Sequence, residues 1–339
     1  MFIPDGTHLK LMRQKPQLAF DETKDFAAQK KAIKEKLIEL LGHQPQRVPL
    51  NPVVEKTTEH DTYTEHRIVF DVEQDVQAVC MLCIPKLGKE KYPLVVVVQG
   101  HGTGMHVSMG RNIDGTVNEN REGDRDNALQ ALERGYAALC LEQRGMGERR
   151  TEMVDNPNDG GYPRCHVTAM NALLLGRTLI GERCFDVSRA IDLALTYPQI
   201  DPDRILLTGN SGGGTTTFYA SCLDERITVS MPSCAVCTYK DSIGAMHHCV
   251  CNFIPHAAEW VDMGDLAACI APRPLIIVNG VKDPIFPEQG VQETFETVKK
   301  IYAAAGAPDK CAKATGNGGH RYYKAEAWEA FDRLVDWNE

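Results

Sequence analysis

The chain is predicted to be an α/β protein, with a mostly parallel central sheet and helices on both faces. Three observations carry this. Residues 94–98, Leu-Val-Val-Val-Val, are an unbroken apolar run of strand length, as a parallel strand buried on both sides requires. From residue 93 onwards such runs alternate with helical periodicity, which implies right-handed βαβ crossovers. The chain has 339 residues, 43% hydrophobic and 24% charged, so it is globular in composition and long enough to bury a large core in a single unit.

The elements follow in order. Residues 25–41 read as an amphipathic helix: Phe26, Ile33, Leu37, Leu40 and Leu41 share a face, lysines cover the other, and Gly42 can close the end. A Pro-containing stretch over 44–52 leads to strands at 53–59, 66–72 and 76–84. There Val72, Val76, Val79 and Leu82 are interrupted by polar neighbours, as in antiparallel strands with one covered face. Residues 1–50 thus form a helical extension ahead of a main domain over 51–339. Within that domain the pattern gives strand 94–98, helix 127–134, strand 136–141, one long helix over 173–197, strand 204–208 and helix 211–222. Strands 227–231 and 274–278, helix 291–304, strand 311–314 and helix 325–337 complete it. Two stretches near 105–125 and 233–264 break the alternation. Both follow strand ends, where doubly wound sheets bind ligands, so both are expected to wall or lid a pocket.

Several function classes are disfavoured. Lys and Arg number 37 against 46 Asp and Glu, a formal net charge of −9, which argues against nucleic acid as partner. No apolar run approaches the ~20 residues of a membrane span, and residues 1–10 lack a signal-type apolar stretch. The twelve cysteines sit mostly in apolar runs, so they read as reduced, buried thiols and favour a cytoplasmic location. Zinc could be suspected from His247, His248, Cys249, Cys251 and His256, and from the Cys80–Cys83 and Cys234–Cys237 spacings. In a strand, however, i and i+3 side chains face opposite ways, which disfavours Cys80–Cys83; the cluster over 247–256 is the better candidate of the two, and no metal is assigned.

Chemistry concentrates in Gly209-Asn210-Ser211-Gly212-Gly213, directly between a strand and a helix. A nucleophile on so tight a turn needs small flanking residues, and the following helix N-terminus offers N–H groups to an oxyanion. A serine needs a base oriented by an acid. Asp283 lies just past strand 274–278, with Glu288 in reserve, and His320 is the one histidine after Asp283. Gly212 supplies one oxyanion N–H. The Gly-rich loop Gln99-Gly100-His101-Gly102-Thr103-Gly104 supplies the other, from Thr103 or else Gly102.

These motifs, with Arg144-Gly145-Met146-Gly147-Glu148, resemble the α/β-hydrolase superfamily. The segments 181–192, 201–205 and 271–275 are similar to the acetyl xylan esterase and dienelactone-hydrolase-like branch. The resemblance spans about 65–339 and implies a cofactor-free serine esterase acting on small acyl esters, often acetylated sugars. Dienelactone hydrolases proper use a cysteine nucleophile; Ser211 places this chain towards the esterases. His101, Tyr239, His247 and Trp260 are the candidates for contact with substrate. The small-molecule ester is the expected partner, with neither nucleic acid nor membrane, and a homo-oligomer is compatible with the sequence. Two rivals are a prolyl-oligopeptidase-like peptidase or amidase and a catalytically silent binding protein on the same fold. The ~90 residues before the first buried strand are too few for the propeller domain of the former, and the complete triad argues against the latter.

Overall fold

The computed structural model describes residues 4–102, 104–118, 122–150 and 165–337. Its strands are β1 (Val53–Glu59), β2 (Tyr63–Glu73), β3 (Val76–Pro85), β4 (Tyr92–Val98), β5 (Ala137–Leu141), β6 (Ile200–Asn210), β7 (Val229–Ser233), β8 (Leu275–Gly280) and β9 (Cys311–Gly316). They form one sheet in the order β1-β2-β3-β5-β4-β6-β7-β8-β9. From β5 to β9 every pairing is parallel; β1 to β3 pair antiparallel, and β3 joins β5 antiparallel. The valine-rich run lies centrally, and all of β4 is buried. β1 is an almost wholly exposed edge carrying Glu55, Lys56 and Glu59, charges that discourage pairing with another chain.

The helices pack on both faces. In the N-terminal helix Phe26–Leu40, Ile33 and Leu37 are buried, and Asp25 caps its start by accepting the Ala28 N–H. The single helix predicted over 173–197 is in fact two, Cys165–Leu174 and Leu179–Ala194. Gly176 takes φ 69° after the first, and the Thr178 hydroxyl accepts the Gly181 N–H to start the second. These are ordinary stop and start signals, hidden by continuous apolar periodicity. The same Thr178 hydroxyl donates to the Leu41 carbonyl at 2.8 Å, fastening the N-terminal helix to the domain.

Two motifs that carried the family resemblance prove to be locked together. The Arg144 guanidinium donates from Nε and Nη2 to Asp186 at 2.7 and 2.8 Å and from Nη1 to Glu73 at 2.5 Å. Arg149 adds a 2.7 Å bond to Asp186, and Arg183 donates to the Arg144 carbonyl from Nε and Nη2. Burial pushes the Asp186 carboxyl up, but the Arg149 and Arg144 guanidinium groups outweigh it and hold it below the usual carboxylate range. This network fixes the turn after β5, which places Met146 beside the start of the helix Gly212–Leu223. All twelve cysteines are free thiols, and all but Cys249 and Cys311 are buried. Among the described residues no helix is long and apolar enough to cross a membrane.

Candidate active site

β6 ends at Asn210 and the next helix begins at Gly212, so Ser211 alone makes the turn. Its φ of 59° with ψ of −125° is a conformation that L-residues rarely adopt. Close packing enforces it. A Cβ at Gly209 or Gly213 would run into the Val98 carbonyl of β4, and one at Gly100 would stand 3.0 Å from the Ser211 Cβ. The Ser211 N–H donates to the Ser233 carbonyl at 2.9 Å, and the Ser233 hydroxyl donates to the Asn210 side chain at 3.0 Å. The turn is thereby pinned to the end of β7. Gly212 lies in the first helical turn, whose N–H groups lack intrahelical acceptors and carry positive potential.

Asp283 and His320 come from the loops after β8 and β9. The two loops are bonded to each other: the Val281 N–H donates to the Gly316 carbonyl at 3.0 Å and the Lys282 N–H to the Gly318 carbonyl at 2.8 Å. The Tyr323 hydroxyl donates to the Gly319 carbonyl at 2.6 Å and steadies the glycine run before the histidine. His320 Nδ1 lies 2.8 Å from Asp283 Oδ2. The other carboxylate oxygen, Oδ1, accepts the Ile285 and Phe286 N–H groups at 2.8 and 3.2 Å. Burial raises the Asp283 pKa, but the His320 bond and charge and the two N–H donors prevail, so it stays below the ordinary value. Phe286 stacks on the His320 ring at 5.9 Å and 19°. The reserve acid Glu288 is engaged elsewhere, by the Asn279 amide and by Lys313.

Ser211 and His320 open into one cavity of about 420 Å³, lined also by Gln99, Gly102, Asn118, Arg125 and Ile285. Gly102 (φ 142°) belongs to this lining, whereas Thr103, the favoured second oxyanion donor, lies outside the described residues. The loop is held from below by Glu142, which accepts the Met105 N–H at 3.2 Å and the Glu148 N–H at 3.2 Å. Burial lifts the Glu142 carboxyl to about 7, against the lowering pull of the Glu148 and Met105 N–H groups. Between its ordinary pKa of 4.5 and about 7, the native state keeps a proton that the unfolded chain has lost. Stability therefore falls as pH rises through that window, by roughly 3 kcal/mol, and the loss is complete above it. Glu142→Gln is expected to remove this component, narrowing the difference between urea midpoints at pH 5 and pH 8. An unchanged difference would contradict the assignment.

Of the four expected substrate contacts, only His101 lines the cavity. Tyr239 is buried, its hydroxyl 2.6 Å from that of Tyr219. His247 is exposed on the surface. Trp260 packs under Lys36, whose Nζ sits 3.8 Å from the ring centre. The part of the 233–264 stretch around Trp260 clasps the N-terminal segment, while Cys251 lies against His101 at the cavity. The Gln17 and Leu18 N–H groups donate to the Glu259 and Trp260 carbonyls at 3.0 and 2.8 Å. The described part of the 105–125 stretch does line the cavity, through Val107, Asn118 and Arg125. Sequence reasoning put Asn118 and Arg125 in an expected wall stretch without singling either out, and it missed Ile285, whose place two residues past Asp283 was a usable signal. Nor did it join Cys249 and Cys251 with His101 and Cys165, whose donor atoms all lie within 4.8 Å of one another.

Comparison with known proteins places this geometry among relatives. A model of the Abhydrolase family matches residues 7–334. The Bacillus subtilis (strain 168) protein named "Putative hydrolase YtaP" is 24% identical over 307 residues, 90% of this chain and 98% of that one. A solved structure described as "a putative acetyl xylan esterase" from Bacteroides fragilis NCTC 9343 superposes with a TM-score of 0.76 at 18% identity, covering 99% of this chain and 91% of the other. A glucuronoyl esterase from Solibacter usitatus gives 0.67 at 14% identity, with 90% and 91% covered. At such identities the structural likeness is one of fold.

Proposed function

Because the chain belongs to the Abhydrolase family, whose model spans nearly its whole length, we propose that it is a serine esterase hydrolysing small acyl esters, foremost acetyl esters of carbohydrates. One observation carries this reading. A serine in strained turn geometry shares a cavity with a histidine whose far nitrogen is held by a buried aspartate. In this mechanism His320, oriented by Asp283, takes the Ser211 hydroxyl proton as Ser211 Oγ attacks the ester carbonyl. The N–H of Gly212, with one from the 102–104 loop, stabilises the oxyanion. The alcohol leaves with the proton from His320; water, deprotonated by the same imidazole, then releases the acid. The cavity volume suits a small acyl group with a sugar-sized alcohol, and Gln99, Asn118 and Arg125 offer hydrogen-bond partners for hydroxyl groups. The descriptions of the structural neighbours as acetyl xylan and glucuronoyl esterases lend further support.

A fluorophosphonate probe is expected to label the active protein on Ser211, located by peptide mass mapping, and to abolish hydrolysis of p-nitrophenyl acetate in proportion. Short acyl chains should be preferred over long ones, and acyl anilides should be poor substrates if esters are the true class. Active protein labelled at another residue would overturn the assignment.

A further inference from the structure

Three thiols and one imidazole converge beside the oxyanion loop. His101 Nε2 lies 3.1 Å from Cys165 Sγ and 3.4 Å from Cys251 Sγ, and Cys165 Sγ lies 3.3 Å from Cys249 Sγ. All four donor atoms fall within 4.8 Å of one another. They come from three separate segments: the loop after β4, the first residue of the helix Cys165–Leu174, and the two ends of Cys249-Val250-Cys251. We infer that His101, Cys165, Cys249 and Cys251 form a tetrahedral binding site for a zinc ion.

The donor geometry fits. Zinc bonds of ~2.3 Å to sulfur and ~2.0 Å to nitrogen set tetrahedral ligand atoms roughly 3.5–3.8 Å apart, so only small shifts would close a shell from these positions. The donor set fits as well. Three sulfurs and an imidazole, without a carboxylate, match a borderline-soft ion such as Zn²⁺ and mismatch Mg²⁺ or Ca²⁺. Elsewhere, Cys234 donates to the Arg321 carbonyl and Cys237 to the Pro287 carbonyl. In this cluster the thiols face one another and the imidazole instead. Cys165, Ala169, Leu179 and Cys251 also form a small apolar cluster apart from the main core, the kind of satellite that a metal can staple. Binding would release the three thiol protons to solvent, while His101 offers its Nε2 lone pair and keeps its proton on Nδ1.

With all four positions filled by protein, the ion has no open site for water or substrate; its role is structural. The consequence for the active site rests on the proposed esterase reading. His101 lies between Gly100 and Gly102, and its ring stands 3.6 Å from where a Cβ on Gly212 would be. Zinc would therefore tie the oxyanion loop to the helix Cys165–Leu174 and to the turn at Val250–Asn252. His101 is then a positioning residue for the oxyanion hole.

The test reads metal, not turnover, so it stands apart from the fate of the esterase reading. Full-length protein purified under reducing conditions should carry about one zinc per chain by elemental analysis. After zinc removal, reloading with Co²⁺ should produce a thiolate-to-cobalt charge-transfer band and the d–d bands of a tetrahedral site. The double variant Cys249→Ser/Cys251→Ser should lose more than roughly tenfold in Co²⁺ affinity, and Cys80→Ser/Cys83→Ser, in β3, should lose none. Should the double variant fail to fold, the wild-type cobalt spectrum decides alone. Wild-type protein that takes up neither Zn²⁺ nor Co²⁺ overturns the proposal, as does a Cys165–Cys249 disulfide mapped in protein prepared without oxygen.

Discussion

Ser211→Ala is expected to lower kcat/KM for p-nitrophenyl acetate by roughly 10⁶, or ~8 kcal/mol of transition-state stabilisation. The loss is that large because the triad acts as a unit: without Oγ the His320–Asp283 pair has no proton to take, and only the oxyanion donors remain. The folded state should hardly change. The Ser211 side chain opens into the cavity, so its removal creates no void in the core, and alanine meets the same backbone constraint at φ 59° that serine meets. A shift in stability within about 0.5 kcal/mol is expected, as for substitutions that touch no packed feature. Residual activity above about one per cent of wild type, in a folded variant, would show that another nucleophile carries the reaction.

What the sequence revealed, and what it hid, divides along a physical line. Ser211, Asp283 and His320 were legible because each sits at the C-terminal end of a strand and each has neighbours only a turn would use. The parallel sheet was legible from the β-branched run at β4, which no exposed segment could tolerate. The pocket wall was legible only in the 105–125 stretch, which lines the cavity through Val107, Asn118 and Arg125. An aromatic and histidine-rich stretch can line a cavity or cover a terminal extension, and composition is the same in both cases. Trp260 went to the Lys36 side chain and Tyr239 to Tyr219, contacts fixed by tertiary packing alone. The thiol–imidazole cluster was hidden for a simpler reason. His101, Cys165 and Cys249 are separated by 64 and 84 residues, so no local spacing links them.

The site is also more constrained than its motifs suggest. The elbow is pressed against β4 by Gly209 and Gly213 and pinned to β7 through Ser233. The loops that carry Asp283 and His320 are bonded to one another before the side chains meet. Strain at Ser211 is thus held by contacts on several sides, as a rarely populated backbone conformation requires.

That constraint makes the outcome at Asp283 sharply predictable. Oδ1 accepts two backbone N–H groups, from Ile285 and Phe286, while Oδ2 accepts the His320 Nδ1–H. In Asp283→Asn the amide oxygen must serve the two N–H groups, since an NH₂ turned towards them would set donor against donor. The NH₂ then faces His320 and requires Nδ1 to accept. His320 must carry its proton on Nε2, the nitrogen that should take the serine proton, and the base is lost without any displacement of the ring. A fall in kcat of roughly 10⁴, or ~5.4 kcal/mol, follows. The stability profile should change in a defined direction. With its pKa held low in the native state, Asp283 contributes stability above about pH 3.9 that is lost as pH falls through the native value. The asparagine variant lacks this component, so its urea midpoint should decline less than that of wild type on acidification. Activity within tenfold of wild type would mean that Asp283 does not set the tautomer of His320.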